Sequence, residues 1–115
     1  MKTLYVSDLD GTLLQPNVTL SKRTIAILNE LIKQGMLFSV ATARTIASVK
    51  PILQGVAVPM PIILMNGVCI YDLTTQKYIK VEEFNEKSKE ILLSIIKEYH
   101  LQGFAYAVKE DALST

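Results

Sequence analysis

The stretch Tyr5-Val6-Ser7-Asp8-Leu9-Asp10-Gly11-Thr12 decides how this chain is read. An apolar run from Thr3 to Ser7 breaks into two carboxylates two residues apart and then into glycine. In extended backbone residues i and i+2 point to one side, so Asp8 and Asp10 are expected to face a shared site at the C-terminal end of a buried strand, Thr3 to Ser7. Gly11 lets the chain turn sharply, and its missing side chain leaves room for a bulky anion. At average residue usage an Asp-x-Asp-Gly-Thr string arises by chance in a chain this long with a probability on the order of one in a thousand. An ordinary strand closing in an Asp-Gly turn remains the competing reading.

Outward from this stretch, apolar runs alternate with helical patterns. Ser21 reads as the N-cap of a helix with Ile25, Leu28, Leu31 and Ile32 on one face, and Gly35 closes it. Met36 to Ala41 is a second strand, followed by Thr42-Ala43-Arg44 and a helix through about Gln54 that Pro51 is expected to kink or restart. Met60 to Met65 is a third strand ending at the turn Asn66-Gly67. Strands separated by helices imply right-handed crossovers and an α/β fold with a parallel sheet. Ligands collect at the carboxyl ends of such strands, where Asp8, Asp10, Thr42, Arg44 and Asn66 would all lie. Beyond Gly67 the pattern changes to a hairpin, Val68 to Asp72 and Lys77 to Phe84, with Tyr71, Tyr78 and Phe84 expected to pack it. Asn85 then caps a helix from Glu86 to about His100 with Ile91, Leu92, Ile95, Ile96 and Tyr99 on its apolar face, and Phe104 to Val108 forms one more strand. His100, alone at a helix end, is read as structural.

Composition narrows the function. A net charge of +1 gives no electrostatic reason for nucleic acid or an anionic membrane as partner, so an anion must be caught locally. The single cysteine, Cys69, excludes an internal disulfide and is read as core filler. No apolar run spans a bilayer, and the N-terminus shows no signal-peptide pattern, so a cytoplasmic protein is expected. No P-loop, GxGxxG, CxxC or Ser-His-Asp arrangement offers rival chemistry.

Asp8-Leu9-Asp10-Gly11-Thr12 after the first strand, with Thr42-Ala43-Arg44 after the second, resembles the haloacid dehalogenase (HAD) superfamily of phosphohydrolases. The Met65-Asn66-Gly67 turn leading into a hairpin and a new α/β segment is similar to the Cof-type branch, whose α/β cap is inserted after strand three. The resemblance implies that residues 1–84, hairpin included, form the first half of a Rossmann-type core and that residues 85–115 open the cap. Ala43 stands where Cof-type members usually have glycine. Family members also bring a lysine and a Gly-Asp acidic motif from later strands, and both are missing. The chain therefore reads as the N-terminal part of a longer phosphatase, inactive or nearly so alone, with an apolar edge and uncovered faces that favour self-association through sheet or cap.

By the same resemblance Asp8 is the nucleophile that takes the phosphoryl group, and Asp10 is general acid and then base. Both would bind Mg²⁺, Asp8 through its side chain and Asp10 through its backbone carbonyl, though weakly for want of further ligands. Gly11, Thr42, Ala43, Arg44 and Asn66 would contact the phosphate or the rest of a small phosphorylated metabolite such as a sugar phosphate. Each has a structural alternative: a turn residue for Asp10 and Asn66, a helix cap for Thr42, a surface ion pair for Arg44. A phosphomutase and a non-catalytic phospholigand-binding module stay open beside the phosphatase.

Overall fold

The computed structural model describes residues 2–109 and 112–114. Strand β1 (Leu4–Ser7) pairs in parallel with β2 (Leu37–Val40), with Leu4 opposite Leu37 and Ser7 opposite Val40. Helix α1 (Lys22–Lys33) makes the crossover, and its ends are set locally as expected. The Ser21 hydroxyl accepts from the Thr24 amide at 3.0 Å. At the other end Gly35, at φ 104°, donates to the Ile32 carbonyl while Met36 donates to that of Leu31, a paired closure that the left-handed glycine permits.

Helix α2 (Ile46–Leu53) starts later than the Thr42 boundary suggested and runs through Pro51 without a break. Pro51 lacks one amide and so forfeits a single bond to the turn before it, while Ile46, Val49 and Leu53 hold the helix on the core. Strand β3 (Ile62–Leu64) joins β2 through a parallel bridge between Ala41 and Ile63. The hairpin of β4 (Cys69–Asp72) and β5 (Lys77–Val81) folds back antiparallel on β3, with Ile62 opposite Tyr71 and Leu64 opposite Cys69. The turn Met65–Gly67 is so short that β4 must return alongside β3 and extend the same run of strands. Inside the hairpin Tyr71 and Tyr78 meet edge to face at 4.9 Å, and Asp72 Oδ1 accepts from the Thr74 amide to close the connection.

The core lies under this half of the chain. Phe38 and Val40 of β2, Ile62 and Leu64 of β3, and Val49 and Leu53 of α2 are all nearly or fully buried. Strand β1, expected to be buried, is not: Leu4, Tyr5 and Val6 are 47, 56 and 47% exposed, because β1 pairs only with β2 and its outer edge is open.

Asn85 caps α3 (Glu86–Glu98) as expected, its Oδ1 accepting from the Ser88 amide at 2.8 Å. No residue of α3 is buried, and the apolar face from Ile91 to Tyr99 is open to solvent. Phe84 does not pack the hairpin and is exposed. The strand expected from Phe104 to Val108 is instead β6 (Ala107–Lys109), paired antiparallel with β7 (Ala112–Ser114), and Phe104 lies before it, exposed. Among the described residues no helix is long and apolar enough to cross a membrane.

Candidate functional site

Three chain reversals, after β1, β2 and β3, close around one cleft of about 550 Å³ lined by Asp8, Asp10, Ala41, Thr42, Ala43, Ile63, Asn66 and Gly67. The two carboxylates reach it by a different route from the alternation of a strand. Strand β1 ends at Ser7, and Asp8 stays extended at φ −73° and ψ 158°, its Oδ1 accepting from the Leu9 amide at 2.8 Å. Leu9 is wholly buried. Asp10 (φ −67°, ψ 127°) and Gly11 (φ 74°, ψ 1°) have the angles of a type II turn, whose third position requires positive φ. A wider loop, in which the Leu14 amide donates to the Leu9 carbonyl at 3.0 Å, encloses that turn. An apolar anchor thus points inward while its two acidic neighbours stay at the cleft.

The second reversal supplies Thr42 and Ala43. Thr42, 5% exposed, does not cap α2; Thr45 stands at the N-cap position and makes no side-chain capping bond. Thr42 Oγ1 instead accepts from the Arg44 amide at 3.1 Å, which fixes a local turn and leaves the hydroxyl proton to be donated elsewhere. The third reversal places Asn66 in the left-handed region at φ 57° and ψ 35°, a conformation asparagine tolerates. Two backbone bonds staple it to the second: the Asn66 amide donates to the Thr42 carbonyl at 3.0 Å, and the Met65 amide to the Arg44 carbonyl at 3.1 Å. The site is therefore built largely on main-chain geometry at the strand ends.

Gly11 and Arg44, also expected at the site, do not line the cleft. Beyond its chain neighbours no described atom lies within 4 Å of where a Gly11 β-carbon would sit, and its φ of 74° favours glycine. Arg44 forks onto Asp10: Nε donates to Oδ2 and Nη2 to Oδ1, both at 2.8 Å. Its Nη1 donates to Ser48 Oγ, a residue that carries no motif and that sequence reasoning missed. The Arg44 hydrogen bond, with its positive charge, holds the Asp10 carboxyl below the usual carboxylate range, and the same contact pushes the guanidinium up.

The cleft is thus acidic: Asp8 and Asp10 are the only charged residues among those lining it. Its offered ligands are oxygens, a hard donor set that suits Mg²⁺ in kind. Among the described residues no group of three or more His, Cys, Asp or Glu is placed to hold a metal ion.

An acidic cleft of this kind at the strand ends of an α/β sheet defines a class, and a family model for haloacid dehalogenase-like hydrolases matches residues 5–114. The chain belongs to that family. A protein of Buchnera aphidicola subsp. Baizongia pistaciae is 36% identical over 92 residues, covering 80% of this chain and 34% of that one. The pyridoxal phosphate phosphatase YbhA of Escherichia coli K12 is 29% identical over 106 residues, covering 92% of this chain and 38% of that protein. Among solved structures BT1666 of Bacteroides thetaiotaomicron, a phosphatase of the HAD superfamily, superposes with a TM-score of 0.73 at 23% identity, over 96% of this chain and 40% of that chain. The chain spans little more than a third of the length of these curated relatives.

Proposed function

We propose that this segment carries the nucleophile and the acid–base group of a Mg²⁺-dependent phosphatase that hydrolyses a small phosphate monoester. The observation that carries the reading is the convergence of Asp8, Asp10, buried Thr42 and Asn66 on one cleft from three separate strand ends. In this reading an Asp8 carboxylate oxygen bonds to phosphorus as the bond to the leaving oxygen breaks, and Asp10 delivers a proton to that oxygen. Water then attacks the aspartyl-phosphate, Asp10 takes its proton, the acyl phosphate bond breaks, and inorganic phosphate leaves. The ion pair with Arg44 favours the carboxylate of Asp10, the form this second step needs, and opposes the protonated form from which the first step starts. Thr42 donates its hydroxyl proton to a phosphoryl oxygen, its acceptor side being held by the Arg44 amide. Asn66 and Ala43 border the substrate. The Asp8 carboxylate and the Asp10 carbonyl would hold Mg²⁺, which would supply positive charge to offset a phosphate beside two anionic side chains.

Residues 1–84 belong to the catalytic core and residues 85–115 begin a cap, and the protein works in the cytoplasm. A relative that acts on pyridoxal phosphate supports a small phosphorylated metabolite, a sugar phosphate included, as substrate class. The rival reading is a phospholigand-binding module that keeps the fold without turnover. Hydrolysis of p-nitrophenyl phosphate with Mg²⁺ by the natural gene product bearing this sequence separates the two. Asp8→Asn is expected to lower the rate by about three orders of magnitude or more, as loss of a covalent nucleophile does, and equal rates in the two proteins would refute the phosphatase reading.

A further inference from the structure

Arg44 touches all three reversals that make the cleft. Its amide is bound by Thr42, its carbonyl receives the Met65 amide, and its side chain reaches Asp10, 34 residues away in sequence. An arginine beside a phosphate site is naturally read as a phosphate clasp, since a guanidinium fork matches two phosphoryl oxygens. The geometry here spends that fork elsewhere. The Nε and Nη2 edge is committed to both oxygens of Asp10, and Nη1 donates to Ser48 on the first turn of α2. A phosphate could take that edge only by displacing a carboxylate, exchanging one anion for another at no gain in charge pairing.

We propose that Arg44 is a positioning residue for Asp10, aimed by Ser48, and that it does not clasp the phosphoryl group. The inference rests on the phosphatase reading for its purpose, though not for its geometry. Ser48 fixes one nitrogen of a planar group, so the plane of the guanidinium, and with it the orientation of the carboxylate it grips, is set from α2. Asp10 sits at the rim of the cleft with its side chain 54% exposed and would otherwise sample several rotamers. One rotamer is what a group that must first give and then take a proton at one point requires.

The test uses NMR on the natural gene product bearing this sequence. Three-bond Hα–Hβ couplings of Asp10 report its rotamer, with Asp8 as internal control, in wild type, Arg44→Lys, Ser48→Ala and Ser48→Thr. Wild type and Ser48→Thr are expected to show one rotamer at Asp10, and Ser48→Ala and Arg44→Lys an average, with Asp8 unchanged. Couplings at Asp10 that are identical in all four proteins would overturn the proposal. In a second arm inorganic phosphate is titrated with Mg²⁺ present. The Thr42 and Asn66 amides are expected to shift while the Arg44 Nε–H resonance stays in place, and Arg44→Lys weakens phosphate binding by no more than about threefold, against about tenfold or more for a lost bidentate clasp. An Arg44 Nε–H signal that moves with the same midpoint as the Thr42 amide would also overturn it. If no cleft amide responds to phosphate, the phosphatase reading falls, and the couplings still decide the role of Arg44.

Discussion

Replacing Leu9 by alanine tests whether the acidic loop is held by the core or only by its own turn. Leu9 is 0% exposed and lies between the two carboxylates. Losing three carbons from a fully buried site forfeits about 2.4 kcal/mol at about 0.8 kcal/mol each. A cavity that half collapses, leaving roughly 50 Å³, adds about 1.2 kcal/mol. The expected loss of about 3.5 kcal/mol is a large share of the roughly 5–15 kcal/mol that holds a small domain together. With a urea slope near 1.5 kcal/mol/M it lowers the unfolding midpoint by about 2 M. The chain has no tryptophan, so unfolding is followed by tyrosine fluorescence, to which the buried Tyr71 contributes. Thr12→Ala, at an exposed position of the same loop, serves as the control and should stay within about 0.5 kcal/mol of wild type. A loss below about 1 kcal/mol in Leu9→Ala would refute the reasoning, because no cavity of useful size could then exist beneath the loop.

Three further outcomes follow from named contacts. Because Arg44 depresses the folded pKa of Asp10, the ion pair stabilises the protein above the unfolded carboxyl pKa near 4 and loses that contribution as pH falls through the folded value; the difference in urea midpoint between wild type and Asp10→Asn should therefore be steady from about pH 6 to 5 and shrink below about pH 4. Ser39, 2% exposed, donates from Oγ to the Pro61 carbonyl, and Ser39→Ala, which strands that acceptor, should cost about 1–2 kcal/mol by urea unfolding. Asn85→Ala removes the cap of a helix with no buried residue, so it should cost that helix about 1 kcal/mol and show as lost ellipticity at 222 nm, with the unfolding of the tyrosine-reported core little changed.

Much of the site was legible in the sequence because its signals are local. The acidic pair, Thr42, Ala43 and Asn66 meet at one cleft as the pattern of strand ends required. Arg44 was legible as a residue but not in its contact: from sequence a phosphate clasp and an ion pair were both open, and the choice depended on where Asp10 and Ser48 came to rest. Ser48 was invisible, since a lone serine in the first turn of a helix has no pattern to betray it. Strand β1 was misjudged for a related reason. Apolar composition reports what a strand would prefer to bury, whereas burial depends on which neighbours reach it, and on β1 only one side is paired.

Taken alone, the sequence determined the ends of α1 and α3, the left-handed residues at Gly11, Gly35 and Asn66, and the hairpin, because each depends on interactions within a few residues along the chain. Only the tertiary structure decided that the hairpin extends β3, that Leu9 buries itself between two acids turned to the cleft, and that Arg44 grips Asp10 across 34 residues. Those outcomes turn on which groups are brought face to face when β2 settles between β1 and β3, and no local propensity encodes that choice of partner.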